Sequence, residues 1–387
     1  MADYRYLIVG GGMTGDSACR GIREHDESGS IGVFGAEQHE PYARPPLTKA
    51  LWKGKEESSI WRGTPDLRVD LHPGVRIAGL DLDARTVTDD AGGEHSYEKL
   101  LLATGGTPRR LNGDGVIYYR TLDDYRRLRA LAGDGVRVTV VGGGFIGSEI
   151  AAALAMNDCD VTILFPDAGI GAKLFPPALA EFVNDYYREK GVTVLAGQTV
   201  ETVSSDSVTT KDGTTVEGDA IVAGLGIEPR TDLAEAAGLE VDDGIVVDEF
   251  GRAGGRDDVF AAGDVARFPV AALGGSRRVE HEDHANTHGK AVGENMAGAD
   301  KPYDHLPFFY SDLFELGYEA VGDVDSRLDT VEEWAEPNRK GVVAYVDGDG
   351  KARGFLLWDV WDKVEAGREL IRAGTVVGAG DLRALLD

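Results

Sequence analysis

Two glycine clusters in this chain have the spacing that dinucleotide-binding loops use. Residues 10–15 read Gly-Gly-Gly-Met-Thr-Gly, and residues 142–147 read Gly-Gly-Gly-Phe-Ile-Gly. In the pattern G-x-G-x-x-G, the first glycine permits a tight turn, the second lets a pyrophosphate approach, and the third allows close helix–sheet packing. The N-terminus of the helix that follows attracts the phosphate charge. Both clusters therefore predict dinucleotide binding, and the alternative is a purely structural turn.

Each cluster lies in the middle of a predicted βαβ unit. A β-branched or apolar run precedes it, and a helical stretch and a second strand follow. The two units lie about 130 residues apart and form the main internal repeat. The elements predicted for them are strands at 6–9, 31–34, 136–141 and 161–165, one helix that ends near residue 25, and another at 148–156.

An acidic residue follows the second strand of each unit. Glu37 lies about 20 residues beyond the first cluster, and Asp167 stands just past the strand at 161–165. A carboxylate there accepts hydrogen bonds from an adenosine ribose and repels a 2′-phosphate, so Asp167 favours NADH over NADPH. The alternative for Asp167 is an acidic residue in a surface turn. Two dinucleotide sites imply two dinucleotides, and the economical pair is FAD and NADH.

Three further segments follow predicted strands. They are Ala-Thr-Gly-Gly-Thr-Pro-Arg at 103–109, Ala-Gly-Leu-Gly-Ile-Glu-Pro at 223–229 and Val-Phe-Ala-Ala-Gly-Asp-Val at 259–265. At these points the sequence resembles the two-dinucleotide-domain flavoprotein reductases, which include glutathione reductase-like enzymes and ferredoxin reductases. The resemblance implies that Asp264 hydrogen-bonds the FAD ribityl chain. It also implies that a helix starting near Asp283 directs its positive end at the flavin. A helix cap is the alternative role for Asp264.

The segment at 40–49 indicates which branch of these flavoprotein reductases the sequence resembles. It reads Glu-Pro-Tyr-Ala-Arg-Pro-Pro-Leu-Thr-Lys. It contains no cysteine, which argues against thiol relay chemistry. Its P-Y-x-R-P-P-L-[ST]-K string resembles the group of apoptosis-inducing factor and bacterial ferredoxin or rubredoxin reductases. The match continues at 277–285, 309–312, 317–322 and 357–363. Tyr310 stands where apoptosis-inducing factor carries Trp, and no mitochondrial segment is evident. The resemblance therefore implies the redox chemistry of this group but not an apoptotic role.

The resemblance assigns two sets of cofactor-binding residues. Those expected to bind FAD are Gly10, Gly12, Met13, Thr14, Gly15, Glu37, Arg44, Lys49, Ile77, Thr104, Gly105, Arg120, Asp264, His281 and Glu282. Those expected to bind NADH are Gly143, Gly144, Phe145, Ile146, Glu149, Asp167, Lys173, Gly226, Glu280 and Tyr310.

Lys49, Glu149 and Phe145 are the predicted catalytic residues. In the family the lysine and the glutamate pair at the flavin edge, where the lysine stabilises negative charge near N5 and the carboxylate keeps it protonated. The alternative is a surface ion pair contributing about 0–1 kcal/mol. Phe145 resembles the aromatic residue that covers the flavin until nicotinamide displaces it, and core packing is its alternative role. His281 and His284 lie among acidic residues, but the flavoprotein context gives them other roles, so no metal is expected.

We therefore expect an α/β fold with two Rossmann-like domains and a small α+β C-terminal domain. The predicted boundaries are 1–112 and 238–306 for the FAD-binding domain, 113–237 for the NADH-binding domain, and 307–387 for a C-terminal interface domain. Other predicted elements are strands at 99–103, 192–195, 220–223, 245–247 and 259–261, helices at 283–296 and 364–373, and a hairpin of 342–346 with 354–358.

The expected reaction is hydride transfer from NADH to flavin N5, followed by electron transfer to an external acceptor. A small iron–sulfur protein, ferredoxin or rubredoxin, is the leading acceptor class, and oxygen or a quinone stays open. A second hypothesis is an NADH-sensing protein like apoptosis-inducing factor, which forms a charge-transfer complex and dimerises with little turnover. The C-terminal domain offers a homodimer face in this superfamily. A flavin-free Rossmann protein is the third hypothesis.

Composition narrows the partners further. The formal charge of −27 repels nucleic acid and anionic membranes, and the acidic residues are scattered. The two cysteines, Cys19 and Cys159, lie too far apart in sequence for a redox motif, which fits a reducing compartment. No signal peptide or membrane-spanning apolar run is evident. We therefore predict a cytoplasmic protein without membrane insertion.

The acidic surface also predicts a protein adapted to concentrated salt. Because molar salt shortens the Debye length to about 3 Å, it weakens repulsion among the acidic side chains. We expect the thermal midpoint to rise by at least about 5 °C from low to molar KCl. Thermal melts and activity assays across that range test this. An unchanged midpoint together with full activity in the absence of salt would contradict it.

Overall fold

A computed structural model describes residues 2–387. Its α-helices are α1 (Met13–His25), α2 (Leu122–Leu131), α3 (Phe145–Ala155), α4 (Pro177–Glu189), α5 (Asp232–Ala236), α6 (Glu282–Met296), α7 (Val364–Arg372) and α8 (Ala379–Leu386). Short 3-10 helices span Pro45–Leu47, Glu57–Ile60, Thr64–Leu67 and Gly263–Val265.

Residues 2–387 also form 25 β-strands. They are β1 (Ala2–Val9), β2 (Ile31–Gly35), β3 (Asp70–Pro73), β4 (Ile77–Asp81), β5 (Thr86–Asp89), β6 (Glu94–Leu102), β7 (Gly106–Pro108), β8 (Ile117–Tyr118), β9 (Arg137–Val141), β10 (Asp160–Phe165), β11 (Thr193–Ala196), β12 (Val200–Val203), β13 (Ser207–Thr210), β14 (Thr215–Glu217), β15 (Ala220–Ala223), β16 (Ile227–Pro229), β17 (Ile245–Val246), β18 (Val259–Ala261), β19 (Ala266–Pro269), β20 (Ser276–Arg278), β21 (Phe308–Leu313), β22 (Leu316–Gly322), β23 (Asp329–Glu336), β24 (Lys340–Val346) and β25 (Ala352–Trp358).

The chain divides into two compact units, each made of three sequence segments. Unit 1 comprises the chain up to Ala43 together with Ser58–Thr107 and Glu228–Pro307. Unit 2 comprises Arg44–Glu57, Pro108–Ile227 and Phe308–Asp387. The predicted three-domain boundaries remain a prediction. Within residues 2–387, no helix has the length and apolar character that crossing a membrane requires.

Unit 1 is built on a seven-stranded sheet in the order β3-β2-β1-β6-β5-β4, with β18 also paired to β6. The strands β1, β2, β3, β6 and β18 pair in parallel, and their apolar side chains are buried in one core with α1 and α6. Helix α6 packs closely on α1. The contact requires glycine at position 293, since a side chain there would overlap the carbonyl oxygen of Ala18. The first glycine cluster and the loops that hold Thr104 and Asp264 follow the C-terminal ends of β1, β6 and β18.

Unit 2 contains a parallel sheet in the order β11-β10-β9-β15-β8 and a three-stranded sheet, β12-β13-β14. Its C-terminal segment forms a five-stranded antiparallel sheet, β21-β22-β25-β24-β23, on which α7 packs. The mixed α/β fold class predicted from the sequence is confirmed. The predicted hairpin is confirmed as the antiparallel pair β24 and β25.

Most of the predicted elements lie within a few residues of the observed ones, and three starts differ by three to five residues. Strand β6 begins at Glu94 rather than at residue 99, because residues 94–97 pair with β1 or β5. Strand β1 begins at Ala2 rather than at residue 6, because residues 2–4 pair with β6. Helix α3 begins at Phe145 rather than at residue 148, because the glycine cluster itself supplies the N-cap at Gly144. Helices α2, α4, α5 and α8 were not predicted from the sequence.

Candidate functional site

The first glycine cluster forms the loop between β1 and α1 in unit 1. Gly10 has φ +134°, and a side chain there would overlap the carbonyl oxygen of Ala103. A side chain at Gly15 would overlap the carbonyl oxygen of Gly10, so both positions require glycine. A Cβ at Gly12 meets nothing within 4 Å, and Gly12 is the N-cap of α1 without a side-chain cap. The loop therefore leaves an open backbone cradle at a helix N-terminus, which suits a phosphate.

The second cluster repeats this geometry between β9 and α3 in unit 2. Gly142 has φ +118° and lies against the carbonyl of Gly224, and a side chain at Gly147 would overlap the carbonyl oxygen of Gly142. A Cβ at Gly144, the N-cap of α3, again meets nothing within 4 Å. Gly143 lies between them, and its carbonyl accepts a hydrogen bond from the Gly171 amide at 2.9 Å. The two loops thus meet the same constraints, and each forms an open backbone cradle that suits a phosphate.

The residues that follow the second strands have different surroundings. In unit 1 the Tyr42 hydroxyl donates to Glu37 Oε2 at 2.6 Å, which fixes this carboxylate after β2. In unit 2 Asp167 is half-buried after β10, and its backbone carbonyl accepts from the Gly197 amide at 3.0 Å. Lys173 is exposed on the segment that follows. An acidic group at each strand end is the arrangement that ribose recognition requires.

A third loop of unit 1 lies against the first cradle. Gly263 has φ +73°, and a Cβ there would overlap the Thr14 hydroxyl, so the Ala-Gly-Asp turn and the start of α1 are in close contact. The Gly263 amide donates to His288 Nδ1 at 3.3 Å. Asp264, next in the chain, follows β18 within a short 3-10 helix. The loop that carries Asp264 is therefore positioned by both α1 and α6.

The N-terminus of α6 carries neutral imidazoles. Burial lowers the pKa of His281, the N-cap of α6, to about 4, although the charges of Asp264 and Asp283 oppose this. Burial likewise lowers the pKa of His288 to about 3. Both rings are therefore uncharged at neutral pH, and the positive end of the helix dipole contributes positive potential here. Glu282 begins the first turn of α6.

The remaining predicted FAD residues fall in both units. Ile77 begins β4 and is buried. The Thr104 hydroxyl, beside Gly105, donates to the carbonyl of Arg230 at 2.7 Å. All of these residues lie in unit 1. Arg44 Nη1 donates to the carbonyl of Arg120 at 2.9 Å within unit 2. Met13 starts α1 and is buried. Of the predicted FAD residues, Arg44, Lys49 and Arg120 belong to unit 2.

Lys49 and Glu149 form a buried ion pair within unit 2. Lys49 Nζ lies 2.6 Å from Glu149 Oε2, and the two side chains are 13 % and 4 % exposed. The Thr48 hydroxyl donates to Oε2 at 2.5 Å, and the Ser311 hydroxyl donates to Oε1 at 2.6 Å. The pair is therefore not a solvated surface contact, and its catalytic role stays a prediction.

Aromatic side chains surround this pair. Lys49 Nζ lies 5.2 Å from the ring centroid of Tyr310, a cation–π distance. Phe145 is only half-buried and packs edge-on against Phe309 with a centroid distance of 5.2 Å. Its partial exposure, together with the 37 % exposure of Ile146, does not match ordinary core packing. Gly226 has φ +78° and open space at its Cβ position.

Of the predicted NADH residues, Glu280 belongs to unit 1, where its Oε1 accepts from Arg278 Nη1 at 2.6 Å. The others lie in unit 2. Thr48 and Ser311 were missed by sequence reasoning, although each directly precedes or follows a predicted residue. Their hydroxyls were not recognised because the group to which they donate, the Glu149 carboxylate, is distant in sequence. No group of three or more His, Cys, Asp or Glu side chains in the described part of the chain is arranged to hold a metal ion.

Residues 4–289 match the family described as pyridine nucleotide-disulphide oxidoreductase, and residues 292–339 match the C-terminal domain of mitochondrion-associated apoptosis-inducing factor. The chain belongs to the pyridine nucleotide-disulphide oxidoreductase family, which uses FAD and NAD(H). Its fold is that of the FAD- and NAD-binding ferredoxin reductases with a C-terminal domain.

Individual relatives and one solved structure are similar to this chain over nearly its whole length. The chain is 33 % identical to apoptosis-inducing factor 1, mitochondrial, of Dictyostelium discoideum over 99 % of this chain and 81 % of that protein. It is 32 % identical to the ferredoxin–NAD(+) reductase component of an anthranilate 1,2-dioxygenase system from Burkholderia cepacia, over 96 % and 95 % of the two chains. The putidaredoxin reductase in a covalent complex with putidaredoxin has a TM-score of 0.90 at 28 % identity, covering 100 % of this chain and 96 % of that one.

The two cradles allow the cofactors to be assigned by mutation. Gly12→Asp and Gly144→Asp each place a negative charge where a phosphate would approach, and aspartate is tolerated as an N-cap. We expect Gly12→Asp to purify with at least about tenfold less flavin. Gly144→Asp should keep its flavin and raise the KM for NADH by at least about tenfold. Flavin absorbance and steady-state kinetics measure both, and a reversed pattern would contradict the assignment.

Proposed function

We propose that this protein is an FAD-dependent NADH oxidoreductase that delivers electrons to a small iron–sulfur protein of the ferredoxin or rubredoxin kind. The observation that carries the proposal is the buried Lys49–Glu149 pair beside Tyr310, in a chain with two glycine cradles. Bound FAD would accept a hydride at N5 and release electrons singly or in pairs. The residues of the chain bind, orient and electrostatically support the two cofactors.

Lys49 supplies the positive charge in this scheme. Held by Glu149 at 2.6 Å and largely shielded from water, its ammonium group would stabilise negative charge that develops near flavin N5. Phe145, half-buried at the start of α3, would cover the flavin and yield to nicotinamide. Asp167 at the end of β10 would bind the adenosine ribose of NADH and exclude the 2′-phosphate of NADPH.

Thiol relay chemistry is not part of the proposal. Cys19 and Cys159 are both buried, and burial raises the pKa of each thiol. A buried thiol with a raised pKa is a poor nucleophile. The two cysteines of this chain would therefore not accept electrons from bound FAD, and the proposed acceptor is external.

The choice of acceptor draws on the relatives. Ferredoxin reductases, one of them captured with putidaredoxin, support an iron–sulfur partner. The net charge of −27 opposes an acidic partner at low salt, and molar salt would remove most of that repulsion. A cytoplasmic location and a homodimer through the C-terminal domain stay predictions.

A second candidate is an NADH sensor with slow turnover. The match of residues 292–339 to the apoptosis-inducing factor C-terminal domain favours it. A sensor would hold NAD⁺ against the reduced flavin in a long-lived charge-transfer complex and dimerise. An oxidase that uses oxygen or a quinone is a further alternative within the same redox chemistry.

One anaerobic experiment separates these functions. The holoprotein is titrated with NADH or with NADPH, and the reduced protein is then mixed with oxidised ferredoxin, rubredoxin, a quinone or oxygen. We expect bleaching by NADH at much lower concentration than by NADPH, and reoxidation by an iron–sulfur protein at least about tenfold faster than by oxygen. A stable long-wavelength band with slow reoxidation by every acceptor would instead establish the sensor. A colourless protein that binds no flavin would refute both.

A further inference from the structure

The carboxylate of Glu149 accepts hydrogen bonds from two other segments of unit 2. Glu149 lies in the first turns of α3 and is 4 % exposed. Thr48 and Lys49 approach Oε2 from the segment Arg44–Glu57, and Ser311 on β21 approaches Oε1. Thr48 and Ser311 are themselves 6 % and 1 % exposed. Each carboxylate oxygen therefore has at least one buried donor, contributed from more than 100 residues away in sequence for both hydroxyls.

The other titratable groups that face this carboxylate are neutral. Tyr187 on α4 and Tyr318 on β22 both have a pKa raised well above the usual value, first by burial and then by the charge of Glu149. Tyr310, next to Ser311 on β21, faces Lys49 rather than the carboxylate. Lys49 is thus the one cation among these groups, and hydroxyl donors supply the rest of the stabilisation that a buried carboxylate needs.

Removing a donor would leave a buried carboxylate oxygen without a partner. A charged oxygen without a hydrogen bond in a buried site is costly, so the carboxylate would turn or shift toward other partners. Lys49, which bonds to the same carboxylate, would then lose its fixed position. Ser311 donates to Oε1, whereas Oε2 accepts from both Thr48 and Lys49.

We propose that Ser311, assisted by Thr48, is a positioning residue that orients the Glu149 carboxylate and through it fixes Lys49 for hydride transfer. The proposal rests on the proposed function and extends the site to the C-terminal segment. Strand β21 then has two roles in one dipeptide, because Tyr310 packs on the Lys49 ammonium and Ser311 holds its counterion. This gives the C-terminal sheet a direct part in the electrostatics of the site.

The test compares four variants of the flavin-loaded protein. Ser311→Ala and Thr48→Val remove one hydroxyl each, and Ser311→Thr keeps a hydroxyl at the same place. Thr139→Val is the matched control, since Thr139 is 1 % exposed in unit 2 and its hydroxyl contacts only the Glu217 carbonyl, at 3.4 Å. The flavin reduction rate with NADH is followed by stopped flow as a function of pH. The flavin midpoint potential is measured separately with a chemical reductant.

We expect Ser311→Ala to slow flavin reduction about tenfold at each pH measured, because Lys49 is displaced. Its midpoint potential should fall, because a displaced lysine stabilises reduced flavin less. Thr48→Val should change both quantities in the same direction by a smaller factor, since Lys49 still donates to Oε2. Ser311→Thr and Thr139→Val should resemble the wild type.

Wild-type rates and potential in both Ser311→Ala and Thr48→Val would overturn the proposal. Thr48→Val carries the test if Ser311→Ala does not fold. A wild-type protein that NADH fails to reduce would refute the proposed function instead. The potential measured with the chemical reductant would still decide the role of Ser311 in that case.

Discussion

The interaction on which the rest of unit 2 depends is the solvation of one buried carboxylate by protein groups. Glu149 is nearly inaccessible to water, so its charge must be balanced within the fold. An ammonium group and two hydroxyls do so, and they come from two segments that are distant in sequence from Glu149. Removing the partner of a buried charge costs about 3–5 kcal/mol, so these segments are held in one arrangement.

This arrangement explains why the short segment Arg44–Glu57 belongs to unit 2, although the chain on both sides of it belongs to unit 1. Thr48 and Lys49 bond to Glu149, and Trp52 Nε1 donates to the Tyr119 hydroxyl at 3.2 Å and packs edge-on against Tyr125. An ion pair and an aromatic contact therefore anchor the middle of the segment. The same contacts place Lys49 in the unit that carries the second glycine cradle.

The cradles follow from a more local constraint, and for that reason the sequence was sufficient to predict them. A tight turn, an open position and a close helix–strand contact each need glycine at a fixed spacing, and both loops satisfy all three needs. The start of α3 was predicted three residues late, because Phe145, Ile146 and Gly147 do not show a strong helical preference. Thr48 and Ser311 were missed because a hydroxyl has no distinctive pattern, and the pairing of Lys49 with Glu149 was expected only from family resemblance.

In the proposed function, hydride transfer depends on the buried Lys49 ammonium rather than on positive charge elsewhere in the same segment. Stopped-flow flavin reduction by NADH in Lys49→Ala and Lys53→Ala tests it most directly, because Lys53 lies on the same segment but is 51 % exposed and 3.8 Å from Asp312. We predict that Lys49→Ala slows flavin reduction by about a hundredfold or more, with a much smaller effect on the thermal midpoint, while Lys53→Ala reacts like the wild type. Equal rates in Lys49→Ala and the wild type would contradict the claim.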